Sequence, residues 1–212
     1  MTETYPILEF DTDRAAILNP DAFKANLSGP VPNVGVLCFF YEVLNEMAKS
    51  GELKPLLDLN SEIGPNPVYT YMVDGRAITV CHPGVGAPLA AGFMEELIAI
   101  GVTKFVVCGG CGVLNREIAA GHPVILTSAV RDEGTSYHYI PPSREVEPRG
   151  KVTRALIDTF TEAGLDFRVG KAWTTDALYR ETKGKRKARL EEGCEVVEME
   201  AAALFAVAQF RK

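Results

Sequence analysis

The chain reads Val196-Val197-Glu198-Met199-Glu200-Ala201-Ala202-Ala203-Leu204-Phe205 where an apolar strand meets an alanine-rich helix. The alanines allow that helix to pack closely behind the strand end. Glu198 and Glu200 are two positions apart, so on an extended segment both side chains point the same way. Two aligned carboxylates suit a cis-diol, because each adjacent hydroxyl can donate a hydrogen bond to a charged acceptor. The alternative is an acid pair at a helix N-terminus, which the helix macrodipole favours.

Strand-like and helix-like segments alternate through the rest of the chain, which is typical of a mostly parallel sheet with helices on its faces. The sequence shows no linker, repeat or low-complexity segment, so we expect a single domain over residues 1–212. The dipeptide Asp74-Gly75 predicts a hairpin, because glycine tolerates positive φ. We predict strands at 34–39, 68–73, 77–81, 104–108, 124–130 and 167–174, and helices at 41–51, 88–100, 152–163, 178–192 and 200–210.

The bulk composition narrows the classes of function. Of the 212 residues 47% are hydrophobic and 24% charged, which is ordinary for a globular protein with a full core. The net charge of −6 gives no basic footprint for nucleic acid. No apolar run reaches transmembrane length, the first residues lack the features of a signal peptide, and the five cysteines lie mostly in apolar segments. We therefore expect a cytoplasmic protein with reduced thiols that binds neither membranes nor nucleic acid.

Two glycine-containing segments follow predicted strands. The first, His82-Pro83-Gly84-Val85-Gly86-Ala87-Pro88, opens a helix, so its amides are available to an anion or a polar ligand. It could equally be a plain strand-to-helix connection. The second, Cys108-Gly109-Gly110-Cys111, has the spacing of a redox pair but lacks a second cysteine pair for zinc. We interpret it as a glycine strip on which a flat ligand could lie.

Two polar segments also follow strands. Residues 131–139 combine donors, acceptors and aromatic rings, as ligand-binding walls do, and His138 is either a substrate contact or a surface histidine. In the segment Thr174-Thr175-Asp176-Ala177-Leu178-Tyr179, Thr175 or Asp176 is expected to cap the following helix, while the other could face the site.

Four short segments of the chain occur in a distinctive order. They are Gly84-Val85-Gly86-Ala87-Pro88 with the helix ending at Gly101, then Gly109-Gly110-Cys111-Gly112, then Thr175-Asp176-Ala177-Leu178-Tyr179, and last Val197-Glu198-Met199-Glu200-Ala201-Ala202. Together they resemble the nucleoside phosphorylase family, which includes the uridine and purine nucleoside phosphorylases. The resemblance runs from about Val34 to Phe210. It implies a three-layer α/β/α fold with a mixed, partly barrel-like central sheet.

The resemblance also implies an activity and a set of site residues. Members cleave the N-glycosidic bond of a nucleoside with phosphate, giving the free base and ribose 1-phosphate, without a cofactor or a metal. Glu200 would be catalytic and would bind the ribose 2′- and 3′-hydroxyls, with Glu198 and Met199 beside the sugar. The base would lie against Gly110, Cys111, Gly112, Asp176 and Leu178. A substrate or phosphate wall would be formed by His82, Gly84, Gly86 and His138.

The chain departs from the family pattern at the expected phosphate site. The early Gly-Asp-Pro-x-Arg of the family falls on Leu18-Asn19-Pro20-Asp21-Ala22, without the glycine or the arginine. An arginine is expected at about Val107, and a threonine or serine at about Gly110. We therefore expect an atypical phosphate site in which the amides of residues 84–88 replace part of the missing charge. The identity of the substrate base is also left undetermined, because Arg180-Glu181-Thr182 stands where uridine phosphorylases carry Gln-x-Arg.

The resemblance also predicts a strand and a helix beyond the Glu-Met-Glu helix, so we expect a fold that lacks these last two elements. The leading hypothesis is a homo-oligomeric nucleoside phosphorylase, a dimer, trimer or hexamer, that acts on uridine or a purine nucleoside. The alternatives are a hydrolase in which water replaces phosphate, and a catalytically silent nucleoside-binding protein.

Overall fold

The computed structural model describes residues 5–20, 27 and 29–211. The described residues form two compact units: one comprises residues 13–20, 27, 29–85 and 89–110, the other residues 5–12, 86–88 and 111–211. The single-domain organisation stays a prediction. Residues 1–4, on which part of the signal-peptide expectation rests, and positions 21–22 of the expected phosphate motif lie outside the described residues.

The unit that contains Asp13–Val85 is built on a five-stranded mixed sheet. Strand β1 lies between β4 and β5 and is parallel to both, while β2, β3 and β4 are joined as antiparallel neighbours, giving the order β2-β3-β4-β1-β5. Its elements are β1 (Val34–Cys38), α1 (Tyr41–Ser50), β2 (Lys54–Ser61), β3 (Gly64–Val73), β4 (Arg76–Cys81), α2 (Ala87–Ile100), which belongs to this unit from Leu89 onwards, and β5 (Lys104–Cys108).

Local signals explain most of these boundaries. Helix α1 ends where Gly51 adopts φ +81°, a left-handed conformation that glycine reaches without a Cβ penalty. The predicted hairpin is confirmed, since Asp74 and Gly75 have φ of +49° and +75° between β3 and β4. Strand β2 was not predicted, because it is an edge strand that contains Pro55 and a register irregularity. Its pairing with β3, rather than its own sequence pattern, defines it.

The other unit carries a second mixed sheet, in which β10, β9 and β7 are parallel and the two short edge strands are antiparallel, giving the order β6-β10-β9-β7-β8. Trp173 lies in its core, fully buried among Leu114, Val130, Cys194 and Val197. The elements are β6 (Gly112–Val113), β7 (Val124–Asp132), β8 (Glu145–Val146), α3 (Gly150–Glu162), β9 (Arg168–Thr175), α4 (Lys183–Glu191), β10 (Cys194–Glu198) and α5 (Ala201–Phe210).

The alternating α/β pattern is confirmed, and the strands hydrogen-bond as two five-stranded sheets. The predicted helix at 178–192 is shorter than expected: a 3-10 turn at Leu178–Arg180 comes first, and α4 begins after Thr182, whose hydroxyl accepts a hydrogen bond from the Lys185 amide. The close packing predicted for the alanine run is confirmed, because Ala201, Ala202 and Ala203 are buried. Among the described residues, no helix is long and apolar enough to cross a membrane.

Candidate active site

The carboxylate of Glu200 lies at the junction between β10 and α5. Glu200 is the residue before the first turn of α5, and its side chain does not cap that helix. Instead its Oε1 atom accepts a hydrogen bond from the backbone amide of Gly86 at 2.6 Å. The residue is 9% exposed. The structure therefore brings two predicted site residues, Gly86 and Glu200, into hydrogen-bond contact.

The carboxylate of Glu198 caps α5. Its Oε2 atom accepts hydrogen bonds from the amides of Glu200 at 2.7 Å and Ala201 at 2.6 Å, and its Oε1 atom accepts one from the hydroxyl of Thr174. The Thr174 oxygen in turn accepts the amide of Ala202 at 3.0 Å. The two acids therefore have different partners: Glu198 caps α5, and Glu200 accepts the Gly86 amide. The alternative interpretation, an acid at a helix N-terminus, describes Glu198, whereas the Glu200 side chain does not cap α5.

Burial weakens the acidity of both carboxyl groups. Burial raises the pKa of Glu198 to about 7, although hydrogen bonds from Thr174, Ala201 and Glu200 act in the opposite direction. Burial also raises the pKa of Glu200, opposed by backbone hydrogen bonds from Gly86 and Met199. Among the described residues neither acid forms an ion pair with Lys, Arg or His. The negative charge of these two carboxylates is therefore stabilised by backbone amides and the Thr174 hydroxyl rather than by a cationic side chain.

Part of the predicted glycine strip lies beside these acids. Gly112 pairs with Val197 across β6 and β10, and a Cβ atom at Gly112 would approach the Val197 side chain to 2.8 Å. Cys111 is exposed at the surface. Partial burial of its thiol is the larger cause that raises its pKa, and the nearby charge of Glu198 raises it further. Met199, between the two acids, is half-buried. This edge of β10 therefore offers a close-packed backbone surface next to Glu198.

The predicted base-binding residues of the 174–179 segment lie beyond the end of β9. The hydroxyl of Thr175 accepts the amide of Ala177 at 3.3 Å, so it stabilises a turn rather than the predicted helix. Asp176 is exposed and its Oδ2 atom accepts the amide of Gly134 at 2.8 Å. Leu178 is 47% exposed. An apolar side chain this exposed is available to a ligand.

A buried polar network holds the loop that follows β7. Ser136 donates its hydroxyl to Glu133 and receives a hydrogen bond from Arg131 Nε at 2.8 Å, and its amide donates to Glu133 at 2.9 Å. Burial raises the pKa of Glu133. The composition of residues 131–139 predicts a ligand-binding wall, but it does not show which of these residues are buried and which are exposed. His138 is exposed on the same loop.

The remaining predicted site residues belong to the unit of Asp13–Val85. The Nδ1 atom of His82 accepts the amide of Gly84 at 3.1 Å. Burial lowers the pKa of the imidazole, while a hydrogen bond with the Phe39 backbone acts in the opposite direction. Gly84 has φ +78°, and a Cβ there would overlap the side chain of Leu89. Gly110 has open space around its Cα.

The described residues at this site offer carboxylate, amide and hydroxyl groups to a ligand. All five cysteines are free thiols, and burial raises the pKa of Cys108 to about 12. In the part of the chain that the structure describes, no group of three or more His, Cys, Asp or Glu side chains is arranged to hold a metal ion. What the geometry provides is a buried carboxylate, held by backbone hydrogen bonds from Gly86 and Met199, whose two oxygens each have more than one acceptor position. Such an oxygen can accept a ligand hydroxyl.

Comparison with known proteins adds independent information. The family model described as the phosphorylase superfamily matches residues 33–212. The chain is 33% identical over 136 residues, 64% of its length and 56% of the relative's, to a guanosine phosphorylase of Halorubrum lacusprofundi. It is 32% identical over 107 residues, 50% of its length and 42% of the relative's, to a uridine phosphorylase of Haemophilus influenzae.

A solved structure shows the same fold. The purine nucleoside phosphorylase of Toxoplasma gondii, crystallised in complex with immucillin-H, superposes with a TM-score of 0.75 at 24% identity. The match covers 85% of this chain and 73% of that one. The predicted fold class is thereby confirmed. The chain spans about half the length of the curated relatives that it matches.

Proposed function

The chain belongs to the phosphorylase superfamily, and from that premise we propose that it cleaves the N-glycosidic bond of a nucleoside with phosphate. A phosphate oxygen forms a bond to C1′ of the ribose as the C1′–N bond breaks, and the base leaves with a proton. The products are the free base and ribose 1-phosphate. The observation that carries the proposal is the buried Glu200 carboxylate, fixed through one oxygen by Gly86.

Glu200 supports this reaction through its charge and its position. Breaking the C1′–N bond develops positive charge on the ribose ring. A carboxylate held against the ribose hydroxyls stabilises that charge more in the transition state than in the ground state, and this difference accelerates the reaction. Because Gly86 already holds Oε1, the carboxylate needs little reorganisation as the charge develops.

The substrate of the proposed reaction is uridine or a purine nucleoside. Relatives named for guanosine and for uridine match at nearly equal identity, 33% and 32%, so identity does not separate the two classes. The exposed Leu178 and the glycine edge at Gly112 are apolar or featureless surfaces, which suit the flat face of either base. A cytoplasmic homo-oligomer that uses phosphate as its only co-substrate is part of the same proposal.

A second candidate is hydrolysis of the same bond by water. The positions where the resemblance places an arginine and a hydroxyl carry Val107, which is 41% exposed, and Gly110, which has no side chain. A phosphate dianion without charged donors is costly to bind, whereas water needs none. A silent nucleoside-binding protein would use the same carboxylate without turnover.

The test is base release from uridine, thymidine, inosine, adenosine, guanosine and methylthioadenosine, each with and without phosphate. Release that requires phosphate, together with ribose 1-phosphate as product, is the expected result. Equal release in both conditions, with free ribose as product, would assign the protein as a hydrolase. If no nucleoside is cleaved but some raise the melting temperature, the protein binds nucleosides without acting on them. The Glu200→Gln variant is the control for contaminating activity.

A further inference from the structure

The first turn of α5 is capped by side chains that precede it, not by its own N-cap residue. The amides of Glu200, Ala201 and Ala202 all need acceptors, because the first amides of a helix have no partner within it. Glu198 accepts the first two and Thr174 accepts the third. Capping by the N-cap side chain is therefore unnecessary, and Glu200 is free to reach Gly86.

Thr174 connects the two parts of this cap. It is fully buried at the end of β9, where it lies in register with Glu198 of the neighbouring strand β10. Its oxygen accepts the amide of Ala202, so its single proton is available for Glu198. The hydroxyl thus binds both the carboxylate that caps the helix and the helix itself.

We propose that Thr174 is a positioning residue for Glu200, acting through Glu198 and the first turn of α5. By holding the Glu198 carboxylate against the amides of Glu200 and Ala201, it fixes the backbone from which the Glu200 side chain departs. Its role in catalysis rests on the proposed function, whereas its effect on the Glu200 to Gly86 hydrogen bond does not. Glu198 has three of its acceptor positions occupied by the protein, so it positions Glu200 more than it binds the sugar.

Thr175 provides a matched control on the next position of the same strand. Thr174 and Thr175 are 0% and 2% exposed, and each hydroxyl oxygen accepts one backbone amide. Only Thr174 also donates to Glu198. Replacing either by valine keeps the shape and removes one hydroxyl. The two variants therefore differ in the contact to Glu198 while sharing the cost of burying an extra methyl group.

The direct test follows the backbone amide of Gly86 by NMR, because its proton reports the hydrogen bond to Glu200. In Thr174→Val we expect the Gly86 amide proton to move upfield and to exchange with solvent faster than in the wild type. Thr174→Ser should restore the wild-type signal, and Thr175→Val should leave it unchanged. Thr174→Ala, which adds no bulk, gives a second version of the test if the valine variant folds poorly. An unmoved Gly86 signal in the folded Thr174 variants would overturn the proposal.

The kinetic test separates positioning from folding. If the wild type releases base, we expect Thr174→Val to lower kcat/KM by about tenfold to a hundredfold, since small displacements of a catalytic group have effects of this size. Thr174→Ser should recover most of the activity, and Thr175→Val should lower kcat/KM much less than Thr174→Val does. Loss of activity in both valine variants, in proportion to lost stability, would contradict a specific role for Thr174. If the wild type releases no base, the proposed function fails, and the Gly86 signal still decides the positioning.

Discussion

The backbone amide of Gly86 donates a hydrogen bond to the Oε1 atom of Glu200 at 2.6 Å, although the two residues are 114 positions apart in the chain. The glycine-rich turn was expected to offer its amides to an anion, and the anion that one of them binds is a carboxylate of the chain itself. Gly86 has φ +89°, a conformation that side-chain-bearing residues rarely adopt. The turn thus fixes the candidate catalytic group.

Replacing Glu200 by glutamine should abolish most base release while preserving the fold. Glutamine keeps an oxygen that can accept the Gly86 amide but loses the negative charge that stabilises the ribose cation. We expect kcat/KM to fall about a hundredfold or more, the range found when a preorganised electrostatic group is removed. Steady-state kinetics and thermal unfolding measure the two effects. Glu191→Gln, at an exposed residue on α4, is the control, and equal activity of both variants would remove Glu200 from the mechanism.

Glu198 should make the protein less stable as the pH rises. Burial raises its pKa from 4.5 to about 7 in the folded state, so the folded protein binds this proton more tightly than the unfolded chain. The resulting stabilisation is fully present below about pH 4.5 and is lost as the pH rises through about pH 7. We expect a loss on the order of 3 kcal/mol across this interval.

Urea unfolding of the wild type and of Glu198→Gln over that pH interval measures this effect. Glutamine does not titrate, so the difference between the two stability curves isolates Glu198 from the other buried acids. The wild-type curve should fall more steeply with rising pH than that of the variant. Parallel curves would show that Glu198 titrates alike in the folded and unfolded states.

Gly84→Ala should destabilise the protein more than Gly75→Ala. Both glycines have positive φ, +78° and +75°, so both substitutions carry a similar backbone penalty of about 1–2 kcal/mol. A Cβ at Gly84 would also overlap Leu89, whereas nothing lies within 4 Å of one at Gly75. We expect Gly84→Ala to cost about 1–3 kcal/mol more, as overpacking does. Chemical denaturation measures both, and equal costs would show that Leu89 moves aside freely.

Asp132→Ala should be more destabilising than Lys185→Met. Asp132 accepts hydrogen bonds from the Trp173 indole at 2.9 Å and from Lys185 at 3.0 Å, and it also contacts the buried Arg189 at 3.5 Å. Removing it leaves the indole N–H without this acceptor and weakens the pairing of a buried cation, which costs about 3 kcal/mol. The Lys185 ion pair is partly exposed, so its loss should cost less than about 1 kcal/mol. Similar unfolding free energies for the two variants would contradict this order.

Much of the fold could be predicted from local patterns. The predicted strands at 34–39 and 104–108 are confirmed within a residue, because their apolar runs are bounded by turn residues. Strands such as β2 and the two-residue β6 are not predictable from their own weak sequence patterns, because they are defined by pairing with β3 and β10. Helix α4 begins later than its sequence pattern predicts, because the Leu178–Arg180 turn comes first and Thr182 then caps the helix.

For the site, the sequence by itself determined which residue types stand at the end of β10 and that an alanine-rich helix follows them. It also marked the glycine-rich turn, since spacing and residue type are local properties. Only the tertiary structure decided that Glu198 caps α5 while Glu200 reaches Gly86, and that Thr174 holds the cap together. The physical reason is that a buried acceptor takes whichever donors the strand register and the chain path bring near it, and the donors from Thr174 and Gly86 come from segments far away in sequence.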